Sequence, residues 1–223
     1  MTTTALKPTL NQRLARLVSA TIHPIVLPLL TLFVLSYRAG HGTLAGVPMG
    51  ALARALAVVG VGTVVTAAPV AALVGFQVLS GRWSDTDVSV RQHRYLLYPF
   101  GIACMLLAAA LFMALGAPAV AIQATLALAL TNLINGFINL REKVSAHAAT
   151  AALCAALLWL MPAATLGTMY IAVGATAAAL LVGWSRVALG RHTVPQVLLG
   201  WMVGALAAVA IHAPALLASL SGR

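Results

Sequence analysis

LLVGWSRVALGRHTVPQVLLGWMVGAL, residues 180–206, carries two apolar runs joined by one short polar connection, SRVALGRHTVPQ at 185–196. Runs of this kind suit helices that cross a hydrocarbon layer, a task that takes about 20 apolar residues at 1.5 Å each. The pattern recurs outward from this stretch. Expected spans fall at 20–39, 54–79, 96–116, 118–138, 147–163, 165–184 and 196–213, with the fifth the shortest.

Composition agrees with that reading. Of 223 residues, 62% are hydrophobic and only 7% charged, far from the balance of a soluble domain. The expected fold is all-α, a polytopic transmembrane helix bundle with about six or seven spans. Residues 1–19 are expected as an N-terminal tail and 20–223 as a single membrane domain. A basic stretch before the first apolar run resembles a signal peptide, but the run is too long and no small-x-small site follows, so an uncleaved span is expected. His23, Pro24 and Pro28 predict an irregular or kinked start to it. Gly and Ala in GVGTVV, VGATAAA and GWMVGALAA suit close helix approach. Cys104 and Cys154 lie inside apolar runs and read as small buried hydrophobes.

The formal charge of +10 is spread over short loops rather than one basic face, which argues against nucleic acid as a partner and for the lipid bilayer. Polar residues concentrate in three connections: RWSDTDVSVRQHR at 82–94, NLREKVSAH at 139–147 and SRVALGRHTVPQ at 185–196. An even number of expected spans separates each from the next, so all three are predicted to meet on one membrane face. Together they bring Arg82, Arg91, Arg94, Arg141, Lys143, Arg186 and Arg191, with Ser145, His93, His147 and His192 beside them. Asp85, Asp87 and Glu142 are all the acids in the chain, too few for a carboxylate-rich divalent metal site. Such an excess of cation calls for an anionic partner, and arginine's planar fork suits phosphate oxygens.

Two helix starts point the same way. Ser145 can cap a helix whose free N–H groups face an anion, and Thr193 with Gln196 has the T-x-x-Q spacing of a capping box, with Pro195 tolerated in the first turn. His192 therefore precedes a helix N-terminus, where a neutral imidazole beside phosphate can attack phosphorus, and His147 can protonate the leaving oxygen. Asp87, four residues before Arg91, is expected to brace that arginine on a helical turn. Asn132, Asn135 and Asn139 recur at helical spacing, either bonding between helices or lining the site. His23, His41, His93 and His212 read as structural.

In this order, the motifs resemble those of the type 2 phosphatidic acid phosphatase superfamily, the membrane lipid phosphate phosphatases related to vanadium haloperoxidases, over roughly residues 80–205. The family pattern SR-x5-H-x3-D is matched by Ser185, Arg186 and His192, with Gln196 in place of the acid. The PSGH pattern is present as Val144, Ser145, Ala146 and His147. For K-x6-RP, Arg91 and Arg94 supply guanidiniums, without the proline or the lysine at that spacing.

The resemblance implies His192 as nucleophile and His147 as acid, with Arg186, Ser145 and one of Arg91 or Arg94 on the phosphoryl oxygens. Lys143 is placed to stand in for the absent lysine, and Gln196 to fix the His192 tautomer. It implies a phospholipid or isoprenoid phosphate as substrate, and neither metal nor cofactor, because cations and helix ends stabilise the transition state. Two other readings of the same residues are a haem protein with His147 and His192 as axial ligands, and a transporter of an anionic solute. A bacterial inner membrane is the expected location. Lys7, Arg13 and Arg16 fall on the face of the site and Arg38, Arg54 and Arg223 opposite, which leans toward a cytoplasmic site, whereas family members often work on the outer face.

Overall fold

A computed structural model describes residues 9–161 and 165–220, with side chains as far as residue 214. Lys7 and Arg223, used above in the charge comparison, lie outside the described residues. The chain is an all-α helical bundle whose only sheet among the described residues is one short hairpin.

Helix α1 (Leu10–Thr21) starts at Thr9, whose side chain exchanges a capping box with Gln12, so residues expected as part of a tail are helical. The chain breaks at Ile22–Ile25, where Pro24 has no N–H to give a helix, and resumes as α2 (Val26–Arg38) at a 47° bend. The hairpin of β1 (Gly42–Leu44) and β2 (Val47–Met49) closes the far end, with Ala45 N–H donating to Leu115 O at 2.6 Å.

Helices α3 (Ala51–Gly62) and α4 (Ala68–Leu79) form one return span interrupted by a π-turn at Thr63–Ala67. Pro69 explains the interruption: its ring cannot lie against the carbonyl four residues back, and the wider turn makes room. Two antiparallel helices follow, α5 (Arg94–Ala114) and α6 (Ala119–Asn139). The order closes with α7 (Ala146–Trp159), α8 (Leu166–Ala188) and α9 (Val194–Leu220).

Among the described residues five helical stretches are long and apolar enough to cross a membrane, and the α1–α2 pair, bent at 47°, meets the same length and hydropathy when its two helices are taken together. The expected fifth span is α7, which at 14 residues rises about 21 Å, short of a hydrocarbon core about 30 Å thick. Nine of its residues are buried under neighbouring helices, so it meets protein rather than lipid along most of its length.

Its tightest neighbour is α9. A Cβ on Gly200 would lie 2.6 Å from Ser145 O, and one on Gly204 would collide with Ala149 O. Only glycine permits this approach, and the seam fixes the start of α9 against the start of α7. As span parity predicts, the connections at 80–93, 140–145 and 189–193 lie together at one end of the bundle, tied by direct contacts.

Candidate active site

The α8–α9 connection is set by Gly190, whose φ of +64 ends α8 and turns the chain so that Arg191 N–H and His192 N–H both donate to Arg186 O. His192 is thereby held at 6% exposure two residues before α9. Its Nδ1 lies 3.1 Å from Gln196 Oε1, and the same oxygen accepts Thr193 N–H at 3.3 Å. The backbone donor identifies that atom as the amide oxygen, so His192 carries its proton on Nδ1 and keeps a lone pair on Nε2. The glutamine completes the returning half of the capping box and the tautomer lock together.

Burial pushes the His192 pKa down to about 3, with the Arg94, Lys143 and Arg186 charges acting in the same direction and the Gln196 hydrogen bond opposing. Its ring is neutral at physiological pH.

Ser145 is fully buried and caps α7, accepting Ala148 N–H at 3.3 Å, while its own N–H donates to Gln196 O. His147 follows in the first turn. Its Nε2 is buried without a hydrogen-bond partner among the described residues, as is Nε of Arg186. Arg186 is 1% exposed and clamped by Ser19 Oγ at 2.8 Å and Asp87 Oδ2 at 3.0 Å.

The two candidate arginines of the 82–94 connection separate clearly. Arg94 is buried and donates to Val88 O at 2.9 Å and Val144 O at 3.0 Å, beside Ser145. Arg91 instead donates to Arg141 O at 2.6 Å and ties the outer loops together. Lys143 donates to Arg191 O at 3.0 Å, and burial together with Arg94, Arg186 and Arg191 lowers its pKa.

Asp87 does not brace Arg91. No α-helix forms over residues 80–90, and the carboxylate turns inward to Arg186, to His147 Nε2 at 3.8 Å and to Arg191 Nε at 4.0 Å. Next to it Val88, a β-branched residue, sits at φ +50, a conformation that costs about 1–3 kcal/mol and persists only where surroundings impose it. His23 also departs from its structural reading. It projects from the α1–α2 break edge-on to the His147 ring at 5.8 Å, with Nδ1 accepting Ile25 N–H. Neither residue belongs to a recognisable motif. The available signal was expense: a histidine inside an apolar run and one of only three acids in the chain.

The other polar residues are structural. His93 stacks on Trp83, His212 Nδ1 donates to Ala208 O, and Asn139 Nδ2 donates to Arg91 O at 3.2 Å. Asn132 Nδ2 bonds Leu128 O within its own helix and reaches Met105 Sδ of α5 at 3.7 Å, and the residue lines a cavity, so it does both of the things expected of the asparagines. Cys154 is buried and Cys104 half-buried, both as free thiols.

That cavity, about 330 Å³, has a polar head at His23, Asp87, Arg94 and His147, and an apolar body running between α2, α4 and α5 past Leu29, Val70, Val74, Leu97 and Met105. A charged head continuous with an apolar slot can take an amphiphile end-on. A family model described as the PAP2 superfamily matches residues 104–215, half of the chain. Neither a curated protein nor a solved structure matches it.

Proposed function

The chain belongs to the PAP2 superfamily, whose members are phosphatases, and from that premise we propose that it is an integral membrane lipid phosphate or diphosphate phosphatase working through a phosphohistidine. The observation that carries the reading is His192, buried, neutral and held by Gln196 with its Nε2 lone pair available, among Arg94, Lys143 and Arg186.

His192 Nε2 attacks phosphorus, forming the N–P bond as the P–O bond to the lipid breaks, and His147 gives its proton to the departing oxygen. Water then attacks the phosphohistidine, His147 takes a proton back, and inorganic phosphate leaves with His192 restored. Arg186, Arg94, Lys143 and the Ser145-capped start of α7 face the charge that develops on the phosphoryl oxygens. Arg91 serves the loops rather than the phosphate. No step requires a metal or cofactor.

The apolar body of the cavity supports a lipid tail over a soluble phosphate ester, with phosphatidate, phosphatidylglycerophosphate and prenyl diphosphates as the substrates to compare. We place the protein in a bacterial inner membrane, as one membrane domain with its site facing the cytoplasm. Purified protein should release phosphate from at least one of these lipids without added metal. A preparation inert toward the whole panel would overturn the reading.

A further inference from the structure

One carboxylate bonds or faces Arg186, proposed above to hold the phosphoryl oxygens, His147, proposed as the acid, and the neighbouring Arg191. Asp87 meets Nη2 of Arg186 at 3.0 Å, Nε of Arg191 at 4.0 Å and Nε2 of His147 at 3.8 Å, and it lines the head of the cavity. The loop presents it at some cost, since Val88 beside it is held at positive φ, fastened by Arg94 on its carbonyl. Nearer bracing partners in sequence are not used.

We infer that Asp87 is an internal anion that occupies the phosphoryl position and sets an affinity threshold, so that the site stays closed to ligands that cannot outcompete a carboxylate, phosphodiesters among them, and opens to terminal phosphates. The inference rests on the phosphoryl-binding reading of the site.

The physical case begins with the surroundings. Arg94, Lys143, Arg186 and Arg191 form a cationic site at the end of a membrane bundle, and the matrix of a bilayer consists of phosphodiester headgroups. Left open, such a site would fill with bulk lipid. A phosphodiester brings one negative charge and two non-bridging oxygens, so exchanging it for Asp87 trades one charge for one and gains no Coulomb energy. A terminal phosphate carries 1.5 to 2 charges near neutral pH and three acceptor oxygens, by the same chemistry as phosphorylated side chains. It alone gains on exchange with Arg186 and Arg191 while reaching the unpartnered Nε2 of His147.

The experiment is equilibrium binding at pH 8 in detergent, titrating the full chain with inorganic phosphate and with dimethyl phosphate. Wild-type protein should bind inorganic phosphate at least about tenfold more tightly than dimethyl phosphate, and Asp87→Asn should gain about tenfold or more for both ions, because the carboxylate that each must displace costs both the same. Asp87→Glu, which retains the charge, should bind both ions about as the wild type does. Equal wild-type affinities overturn the inference whether or not the variants fold. So does an Asp87→Asn protein that gains affinity for neither ion, or one that loses both, since Asp87 would then only hold Arg186. A wild-type protein that binds neither ion removes the phosphoryl-binding reading itself, a result distinct from all of these.

Discussion

At the scale of single residues, Gln196 is the most informative position, because an amide holds a ring that the family pattern gives to an acid. Its oxygen fixes the Nδ1–H tautomer of His192 and stabilises the imidazolium less than a carboxylate would. Gln196→Glu should keep substantial activity but move the acidic limb of kcat/KM upward by about one to two pH units. The sign follows from charge: a carboxylate favours the protonated ring, so the neutral nucleophile forms only at higher pH. Gln196→Leu should lose more activity with no such shift. His192→Ala should lower phosphate release by on the order of 10³-fold or more while leaving detergent-solubilised protein folded, measured as initial rates beside a thermal melt. His147→Ala should hurt most with poor leaving groups and least with an acidic one such as a nitrophenyl ester. The Gln196 contact was legible because both partners lie within one turn. Asp87 and Arg186 are 99 residues apart, and no local pattern announces a pair at that separation.

Elements were legible wherever the apolar run was long. The expected spans at 96–116 and 118–138 coincide with α5 and α6 to within two residues, because hydropathy alone decides such helices. It fails where packing takes over: α7 stops at 14 residues since its neighbours, not lipid, cover it. The glycine seam against α9 was visible as composition but not as a specific contact. Gly204→Ala tests that contact, because the new methyl would meet Ala149 O and force two backbones apart. A destabilisation of about 1–3 kcal/mol is expected, read as a lower melting temperature. Activity should fall further than the folded fraction does, since the helix bearing His147 and the one following His192 would separate.

Across the whole molecule, the meeting of three polar connections at one end followed from counting spans, and the contacts among Asp87, Arg94, Val144 and Arg186 join them. Counting gives no sign to that end. Val90 lies on it at 38% exposure, so Val90→Cys offers a reporter. With the site on the cytoplasmic face, an impermeant thiol reagent should label this variant in opened cells and leave it at wild-type background in intact ones. Labelling of intact cells would reverse the orientation.

The site draws on both sides of residue 104, where the family match begins. His147, Arg186, His192 and Gln196 come from the matched half, whereas Ser19, His23, Asp87 and Arg94 come from the other. On the function proposed above, inheritance in this chain would be two-part: the later half would transmit the nucleophile and acid of a reaction, and the earlier half, with Arg94 and Asp87, the terms of admission to it. Graft the first hundred residues of another such chain onto this one, and the progeny should keep the chemistry of one parent with the diet of the other.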